Sequence, residues 1–575
     1  MNYDKYPVTK VQTDTIQAWS GYDSILNRLR EAVQEKSRNG KCVLAVETYP
    51  GVDEQELVPA LKALGPQLVL DTRRTLCSKE EFRRRIYPFL TDDRVFGRMF
   101  YGTFEDFQQP QQVEALRKEA EEASGLIIIW GMGAAQLVEP DVLVYADMAR
   151  WEIQQRFRKG MPNYYTDNGN EDNLKKIKQG YFFEWRMADK LKRKLYNKLD
   201  FYLDTNRPQD PSMLTGDVFR AALRQVVTGP FRTVPYFDPG VWGGQWMKTV
   251  CGLDPQQKNY AWSFDGVPEE NSIYLEVNGV LVESPAINLV FYCPKELLGP
   301  QVYARFGAEF PIRFDFLDTM DGQNLSLQVH PLTDYIHNQF GMNYTQDESY
   351  YILDAKEDAC VYLGLKEDVE PENMLADLRR AQEGGDAFPA EKYVNRFPAK
   401  KHDHFLIPAG TIHCSGKNCM VLEISATPYL FTMKLWDWGR LGLDGRPRPI
   451  HIDHGEKVIQ WDRRTQWVKD NLVDQARVLE ENPAYTEEHT GLHELEFIET
   501  RRYHIREACK LNTENNVNML NLVEGEAAVI ESPTGAFAPF EVHYAETFIL
   551  PAGVGAYTIR PLSEGPVKVV RAYVK

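Results

Sequence analysis

The sequence predicts a multi-domain chain in which an N-terminal α/β region with a parallel sheet precedes two antiparallel β-barrel or jelly-roll domains with helical insertions. Three observations support this prediction. The 575 residues are enough for several hydrophobic cores. Up to about residue 205, helical periodicity alternates with short, wholly apolar runs, which is typical of buried parallel strands. From about residue 230, short alternating strands separated by Gly, Pro and Asp predominate, as in all-β domains.

Within the N-terminal region, apolar residues recur at helical spacing over 22–36, which predicts a helix. The apolar runs at 42–46, 68–70 and 126–130 are predicted to be buried strands of one parallel sheet. The segment 148–198 is charged and amphipathic, which favours helices.

The remainder of the chain is predicted to be mainly β-structure, with helices at 371–381 and 457–477. Predicted strands lie at 272–277, 325–329, 349–353, 360–363, 517–522, 546–550 and 567–574. The predicted domains are an α/β domain at 1–205, a linker at 206–236, a metal-binding β domain at 237–455, a helical connector at 456–485 and a second β domain at 486–575, without metal ligands.

Charge and composition exclude several classes of function. The formal net charge is −17, a sign that disfavours non-specific binding to nucleic acid or to anionic lipid. No apolar run approaches the length of a membrane span, and the first residues lack the pattern of a secretory signal. The eight cysteines include no CxxC pair and are predicted to be free thiols. We therefore expect a cytoplasmic protein with a small-molecule ligand and no nucleic-acid or membrane partner; the sequence leaves the oligomeric state open.

A short internal repeat relates the two β domains. The segment 407–413, Ile-Pro-Ala-Gly-Thr-Ile-His, reappears at 550–556 as Leu-Pro-Ala-Gly-Val-Gly-Ala. Alanine replaces histidine in the second copy. Any chemistry of His413 is therefore expected only in the first of the two β domains.

Four polar residues of the first β domain form a candidate metal site. Gln328 and His330 share one face of a predicted strand, Glu348 opens the next strand, and His413 ends a turn. Two imidazoles, a carboxylate and an amide oxygen suit Zn²⁺ with positions left open for substrate or water. The histidines of the pairs His402/His404 and His451/His454 are expected in loops instead.

Residues from about 237 to the C-terminus resemble class I mannose-6-phosphate isomerase of the cupin superfamily. The matching segments are 242–244, 325–331, 348–354, 407–413, 421–423 and 436–451. The resemblance implies one Zn²⁺ per chain, held by Gln328, His330, Glu348 and His413. It also implies aldose–ketose isomerisation, mannose 6-phosphate to fructose 6-phosphate, through an enediol. Catalytic candidates on the matching positions are Glu423 as acid/base, Lys434 and Arg440.

The sequence departs from the family pattern at basic positions. Lys434 stands where the family typically has arginine, Gln346 and Asp315 stand where it usually has lysine, and Gly439 replaces an aspartate. Arginine and lysine are not equivalent towards phosphate. The remaining candidate anion contacts are Lys434, Arg440 and Arg313. The departures affect the expected phosphate specificity more than the expected metal.

The N-terminal region resembles a uridine-kinase-type P-loop domain that has lost its catalytic loop. Segment 43–54 lies between a strand and a helix, as a P-loop does, but it contains Glu47, Asp53 and Glu54 and has no Gly-Lys-Ser/Thr ending. We expect a regulatory or assembly domain without P-loop catalysis. The arginines at 73–74 and 83–85 are expected on solvated faces.

The sequence thus predicts a zinc-dependent sugar-phosphate isomerase with an inactive kinase-like domain. Three alternatives stay open at this point. The first is an isomerase of a different or non-phosphorylated sugar, and the second is a non-catalytic sugar-binding or regulatory protein. The third is an active sugar or nucleoside kinase, which the missing P-loop lysine disfavours.

Overall fold

The computed structural model describes residues 2–13, 17–426, 429, 431–491 and 493–575. It contains two compact units, each assembled from separate stretches of chain. The α/β unit comprises Val8–Val226 and Ser272–Tyr292, and the β unit comprises Met1–Pro7, Val227–Asn271 and Cys293–Lys575. No helix in these described ranges is long and apolar enough to cross a membrane.

Residues 8–226 contain the first eight strands and nine helices. The strands are β1 (Val8–Lys10), β2 (Ala18–Ser20), β3 (Lys41–Thr48), β4 (Leu68–Asp71), β5 (Gly125–Trp130), β6 (Val142–Asp147), β7 (Phe201–Asp204) and β8 (Ser212–Thr215). The helices are α1 (Tyr22–Lys36), α2 (Glu54–Lys62), α3 (Lys79–Leu90), α4 (Pro110–Glu122), α5 (Ala134–Leu137), α6 (Arg150–Arg158), α7 (Asn173–Gln179), α8 (Trp185–Arg193) and α9 (Gly216–Val226). Short 3₁₀ turns lie at Thr72–Thr75 and Phe104–Phe107, and a π-helical turn lies at Gly180–Glu184.

The following stretch, up to residue 460, contains the next strands and helices. The strands are β9 (Tyr236–Asp238), β10 (Trp262–Gly266), β11 (Ser272–Val277), β12 (Val280–Pro285), β13 (Arg313–Asp318), β14 (Leu327–Val329), β15 (Glu348–Ala355), β16 (Cys360–Leu365), β17 (Val394–Pro398), β18 (His404–Ile407), β19 (His413–Ser415), β20 (Cys419–Ser425) and β21 (Met433–Trp436). The helices are α10 (Trp246–Val250), α11 (Ile287–Tyr292), α12 (Pro294–Leu298), α13 (Pro300–Phe306), α14 (Thr333–Phe340), α15 (Pro371–Gln382), α16 (Ala390–Tyr393) and α17 (Ile452–Val458).

The C-terminal part of the chain is mainly β-structure. It contains helix α18 (Thr465–Asn471), a 3₁₀ turn at Ala552–Val554, and the strands β22 (Arg477–Glu481), β23 (Tyr485–Gly491), β24 (Ile498–Ile505), β25 (Cys509–Asn512), β26 (Asn518–Glu524), β27 (Ala527–Glu531), β28 (Phe540–His543), β29 (Thr547–Leu550), β30 (Ala556–Pro561) and β31 (Val567–Val574).

The α/β unit is built on a seven-stranded sheet in the order β2-β8-β7-β6-β3-β5-β4. The strands β7, β6, β3, β5 and β4 are mutually parallel. β8 pairs antiparallel with β7, and β2 pairs antiparallel with β8 and forms the edge of the sheet. Leu44 and Val46 of the central strand are fully buried and pack with Ile25 and Leu29 of α1. The apolar run 42–46 of β3 is therefore covered by helix, as its sequence predicted.

The boundaries of this unit differ from the predicted domain 1–205. The predicted linker 206–236 contains strand β8 and helix α9, which belong to the α/β unit. The segment 272–292, placed by the sequence in the metal-binding domain, also belongs to this unit. Its strands β11 and β12 form a three-stranded sheet with β1, whose register pairs Val8 with Tyr274. Pairing between residues this far apart in the chain leaves no local signal in the sequence.

A buried ion pair connects the inserted segment to the parallel sheet. The Lys192 ammonium of α8 lies 2.7 and 2.9 Å from the two carboxylate oxygens of Asp147, the last residue of β6. Both side chains are at most 3% exposed. Asn288 of α11 accepts from Lys192 and donates to Asp147, so that the charges are hydrogen-bonded as well as paired. A buried pair of this kind is costly to break from one side.

The β unit contains two barrels of the same topology. In the first barrel, the sheet β18-β15-β20-β13-β10-β9 faces the sheet β17-β16-β19-β14-β21. In the second, β29-β26-β31-β24-β23-β22 faces β28-β27-β30-β25. The two orders correspond strand for strand, apart from β21, so the repeat at 407–413 and 550–556 is part of a duplicated architecture. All eight cysteines of the chain are buried and free.

The two barrels differ in what fills them. Fourteen buried residues from both sheets of the second barrel form one apolar cluster, which includes Phe548, Leu550 and Tyr557. The first barrel instead carries fully buried ionisable side chains between its sheets, among them His330, Glu348 and His413. The same fold thus encloses an ordinary hydrophobic core in one copy and a polar interior in the other.

We expect Lys192→Met to destabilise the α/β unit by roughly 3–5 kcal/mol, because it leaves the Asp147 carboxylate buried without its counter-ion. The double variant Lys192→Met/Asp147→Asn should lose less than the single variant. Chemical denaturation measures both. Lys118→Met removes a partner from an ion pair whose side chains are about 70% exposed and should change stability by at most ~0.5 kcal/mol. Equal losses for Lys192→Met and Lys118→Met would contradict the assignment.

Acidification should lower the free energy of unfolding of the β unit, partly because of His404 in β18. Its ring is buried and lies 2.8 Å from the Ser349 hydroxyl. Burial, with the charge of Arg502 adding to it, lowers the pKa of His404 from 6.5 to about 3. The unfolded chain therefore binds the proton first as pH decreases, and stability is lost between about pH 6.5 and pH 3. Urea midpoints of His404→Gln should fall less steeply over this window than those of the wild type, whereas exposed His337→Gln should follow the wild-type profile.

Candidate metal centre

Facing strands of the first barrel bring the predicted metal ligands together. Gln328 lies on β14 and pairs directly with His413, the first residue of β19, within the five-stranded sheet. His330 follows β14 by one residue. Glu348 opens β15 of the facing sheet, where it pairs with Ile407. Cross-strand partners project to the same side of a sheet, so all four side chains point into the interior of the barrel, between its two sheets.

The three ionisable members form a tight cluster. Candidate donor atoms of His330, Glu348 and His413 all lie within 4.8 Å of one another, and the three residues have no exposed surface. The His330 Nε2 atom is 3.0 Å from Glu348 Oε2, and His413 Nε2 is 2.7 Å from Glu348 Oε1. This is the spacing and chemistry of a site for a single divalent cation with N and O ligands.

Backbone carbonyls orient both imidazoles. His330 Nδ1 is 3.0 Å from the Phe431 carbonyl oxygen, and His413 Nδ1 is 2.9 Å from that of Thr411. A carbonyl can only accept, so Nδ1 carries the proton in each ring and the Nε2 lone pair points at the cluster. Protein metal sites use the same arrangement to fix the tautomer of a ligating histidine.

Unsatisfied buried atoms mark the centre of the cluster. Neither His330 Nε2 nor Glu348 Oε1 has a hydrogen-bond partner, although both are buried. Gln328 Nε2 lies 3.2 Å from His413 Nε2; turning the amide by 180° would present its oxygen there instead, because the two orientations have the same shape. Buried polar atoms left without partners are costly, and a cation at this point would satisfy them. The residues present therefore fit a metal ion.

Charges in the cluster keep the carboxylate ionised. Burial opposes ionisation of Glu348, but the two imidazoles hold its pKa well below the ordinary value. Burial likewise opposes protonation of His330, and the Glu348 carboxylate outweighs burial and raises its pKa. An anionic ligand between two nitrogen donors is the form that a divalent metal binds.

Glu423 stands beside the cluster on the central strand β20. It pairs with Tyr350 on one side and with Asp315 of β13 on the other, and it is 5% exposed. Burial, then Asp315 and Glu348, raise the pKa of Glu423 well above its ordinary value. Gln346 donates to Glu348 at 2.9 Å and lies 3.5 Å from Glu423 Oε1, so one amide contacts both carboxyl groups. A buried carboxyl group with a raised pKa is suited to proton transfer.

Lys434 and Arg440 have different surroundings. Lys434 of β21 pairs directly with Gln328 and is half-buried, which places it on the face that carries the cluster. The Arg440 guanidinium instead donates to the Asp437 carboxylate at 2.5 Å and to the Asn324 carbonyl at 2.7 Å. Its contacts organise the loop after β21, a role that the sequence did not predict.

Other histidines have partners outside the cluster. His402 contacts the Tyr351 hydroxyl and Glu524, and His454 contacts the Tyr335 hydroxyl. His404, expected in a loop, begins strand β18 and contacts Ser349.

Some functional features were not predicted from the sequence. The sequence shows Gln346 only as the replacement of a lysine and does not predict its contact with Glu348. The two residues lie two positions apart, a spacing that puts side chains on the same face of an extended segment. The carbonyls of Thr411 and Phe431 left no signal, because any residue can supply a backbone acceptor.

The second barrel lacks this set of ligands. Asn512 pairs with Ala556 where Gln328 pairs with His413, and Asn518 pairs with Leu550 where Glu348 pairs with Ile407. The equivalents of one histidine and of the carboxylate are thus alanine and asparagine. That only the first barrel binds a metal stays a prediction from the repeat.

The predicted P-loop-like segment lines a cavity of about 760 Å³ in the α/β unit, at the end of β3. Its acidic residues are engaged there. Asp53 accepts from the Gln55 amide and caps α2, and Glu54 pairs with Arg73 at 2.9 Å. The predicted arginine clusters are also largely paired: Arg74 with Glu119, Arg83 with Asp167, and Arg84 and Arg85 with Glu81.

Comparison with known proteins relates the two units to different groups. Residues 21–228 match a family model described as a domain of unknown function (DUF8485). The chain is 23% identical over 348 residues to mannose-6-phosphate isomerase ManA of Bacillus subtilis (strain 168), which covers 59% of this chain and 98% of that relative. It is 28% identical over 221 residues to a mannose-6-phosphate isomerase of Streptococcus mutans, covering 38% of this chain and 64% of the relative.

Among solved structures, the mannose 6-phosphate isomerase from Bacillus subtilis matches 60% of this chain and all of its own, with 18% identity and a TM-score of 0.49. The two sequence relatives named above are both described as mannose-6-phosphate isomerases. The resemblance of the N-terminal region to uridine kinases receives no support from these comparisons and stays a prediction.

We expect the purified protein to contain close to one divalent metal ion per chain, and His330→Ala or His413→Ala to lose most of it, because each removes a nitrogen donor from a buried site. Elemental analysis of the folded variants measures this. His337→Ala, an exposed histidine on α14, is the matched control and should keep the wild-type metal content. Unchanged metal in His330→Ala would overturn the ligand assignment.

Proposed function

We propose that the β unit is a metal-dependent aldose–ketose isomerase that interconverts mannose 6-phosphate and fructose 6-phosphate. The observation that carries this proposal is the buried cluster of His330, Glu348 and His413, with its unsatisfied atoms, beside the carboxyl group of Glu423. The similarity to mannose-6-phosphate isomerases supports the choice of reaction and substrate.

We assign the metal as one Zn²⁺ per chain, with Gln328, His330, Glu348 and His413 as its ligands. A borderline cation suits this mixture of imidazole and oxygen donors. When bound, such a metal polarises the carbonyl oxygen of an aldose or ketose and makes the neighbouring C–H more acidic.

Glu423 is proposed as the acid/base group. In the forward reaction its carboxylate would remove the proton from C2 of the aldose and deliver it to C1, while the hydroxyl proton on O2 passes to O1, which yields the ketose through an enediol. Its raised pKa gives it a stronger basicity than an exposed carboxylate. Gln346 would hold Glu423 and Glu348 in a fixed relation through its amide.

Lys434 and Arg440 have separate proposed roles. Lys434, opposite Gln328, would neutralise developing negative charge or contact the substrate phosphate. Arg440 would act indirectly, because its guanidinium holds the loop after β21 through Asp437 and Asn324. For the α/β unit we propose a regulatory or assembly role without P-loop catalysis, since the acidic segment 43–54 contains no phosphate-binding lysine.

We expect Glu423→Gln to lower kcat about 100-fold or more while the metal content is retained, because proton transfer between C1 and C2 loses its carrier. Coupled detection of fructose 6-phosphate and exchange of the C2 proton with solvent both measure this loss. Exposed Glu357→Gln is the control and should keep wild-type kcat. An unchanged exchange rate in Glu423→Gln would exclude it as the acid/base group.

The same assay, run with a panel of aldose phosphates and free aldoses, tests the substrate. Preference for mannose 6-phosphate supports the proposal, whereas equal turnover of free mannose supports the non-phosphorylated alternative. Metal binding without turnover or proton exchange on any of these sugars supports a binding protein instead.

A further inference from the structure

A second set of unsatisfied polar atoms lies in the first barrel, away from the metal ligands. The Arg313 Nη2 atom and the Tyr350 hydroxyl are buried without a hydrogen-bond partner. Arg313 Nε and Asp315 Oδ1 are buried as well and form an ion pair at 3.3 Å, with no other partner. Native interiors satisfy nearly all such groups, so a cluster of them calls for a missing partner.

Strand register places these groups on one inner surface. Arg313 and Asp315 are two residues apart on β13, so their side chains lie on the same face of the sheet. Ser425 of β20 pairs with Arg313 on one side and with Glu348 on the other. The Cα atoms of Arg313 and Glu348 are therefore separated by two strand spacings, roughly 10 Å. The Tyr350 ring lies 5.7 Å from the His413 ring, which anchors this surface at the metal cluster.

The guanidinium of Arg313 is held in place but not consumed. It stacks on the Phe264 ring with its central carbon 4.2 Å from the ring centre, and Nε lies 3.3 Å from Asp315 Oδ1. The arginine is 3% exposed. The Nη2 atom has no hydrogen-bond acceptor among the described residues. Packing of this kind preorganises the remaining donors for a ligand.

Two other arginines of the β unit contrast with this one. Arg463 donates to the Pro408 and Ala409 carbonyls and to Thr411, and Arg448 lies 3.2 Å from Asp437. Their guanidinium groups stabilise loops. Arg313 differs because its unsatisfied donors face the interior that also holds the metal ligands.

The chemistry of the surface identifies the ligand class. The carboxyl groups of Asp315 and Glu423 offset the positive charge of the Arg313 guanidinium, so this surface attracts a phosphate dianion less than an isolated guanidinium would and favours a neutral polar group. Adjacent hydroxyls of a sugar both donate and accept, and so can satisfy Arg313, Asp315 and Tyr350 together.

We propose that Arg313, with Asp315 and Tyr350, binds hydroxyl groups of the sugar chain and sets the specificity of the site for its substrate. This inference rests on the proposed function of the barrel and adds a subsite that the metal ligands do not provide. Arg313 contacts the hydroxyls that distinguish one aldose from its epimers, while the phosphate lies outside this surface.

The test combines Arg313→Met with deoxy analogues of the substrate. Arg313→Met should lower kcat/KM for mannose 6-phosphate roughly 10- to 150-fold, the range for losing a hydrogen bond to a charged donor. In the wild type, one of the analogues that lack a single hydroxyl at C3, C4 or C5 should show a loss of similar size. Arg313→Met should lose little more on that analogue, since the contact is already absent. Arg313→Lys should retain part of the preference.

Controls separate this inference from folding and from the proposed function. Arg571→Met removes a buried arginine of the second barrel and should leave kinetics and metal content unchanged. Metal content of Arg313→Met should equal that of the wild type. If Arg313→Met lowered kcat/KM by the same factor on every deoxy analogue as on mannose 6-phosphate, the proposed subsite would be overturned. If the wild type turns over no sugar, the proposed function fails, and calorimetric titration with mannose and its deoxy analogues decides the subsite by the same comparison.

Discussion

A carboxylate without exposed surface, placed between two imidazoles from the opposite sheet, is the interaction on which the first barrel depends. Glu348 comes from one sheet, and His330 and His413 come from the other, so their contacts connect the two layers at the point where an ordinary barrel would have hydrophobic contact. The surrounding contacts hold these side chains in place. Backbone carbonyls fix the imidazole tautomers, and the Gln346 amide donates to one oxygen of the Glu348 carboxylate. Buried charges are tolerated only with partners of this kind.

The second barrel shows what the same topology does without that constraint. Its two sheets enclose an apolar cluster, and Ala556 and Asn518 stand at the positions of His413 and Glu348. An apolar core stabilises a barrel through burial alone, whereas the first barrel exchanges part of that stabilisation for a polar interior.

The α/β unit is organised by a different kind of buried charge. Lys192, Asp147 and Asn288 connect a helix, the end of a parallel strand and a helix from a segment far along the chain. Such an ion pair favours one arrangement of distant segments over alternatives, because any other arrangement would leave a charge unpaired. The cavity at the end of β3 keeps the position of a ligand site in parallel sheets, but its acidic residues are used for helix capping and ion pairs.

The sequence by itself determined the elements that depend on local patterns. Apolar runs predicted β3 and β5, alternation predicted the β region, and the motifs around His330, Glu348 and His413 predicted side chains that the structure brings into one cluster. Only the tertiary structure decided the features that depend on contact between distant segments. Residues 272–292 join the α/β unit, Arg440 serves a loop, and Arg313 keeps unsatisfied donors beside the metal cluster. The reason is physical: periodicity encodes which face of an element is buried, whereas partners across the fold are fixed by packing and by the need to satisfy each buried charge.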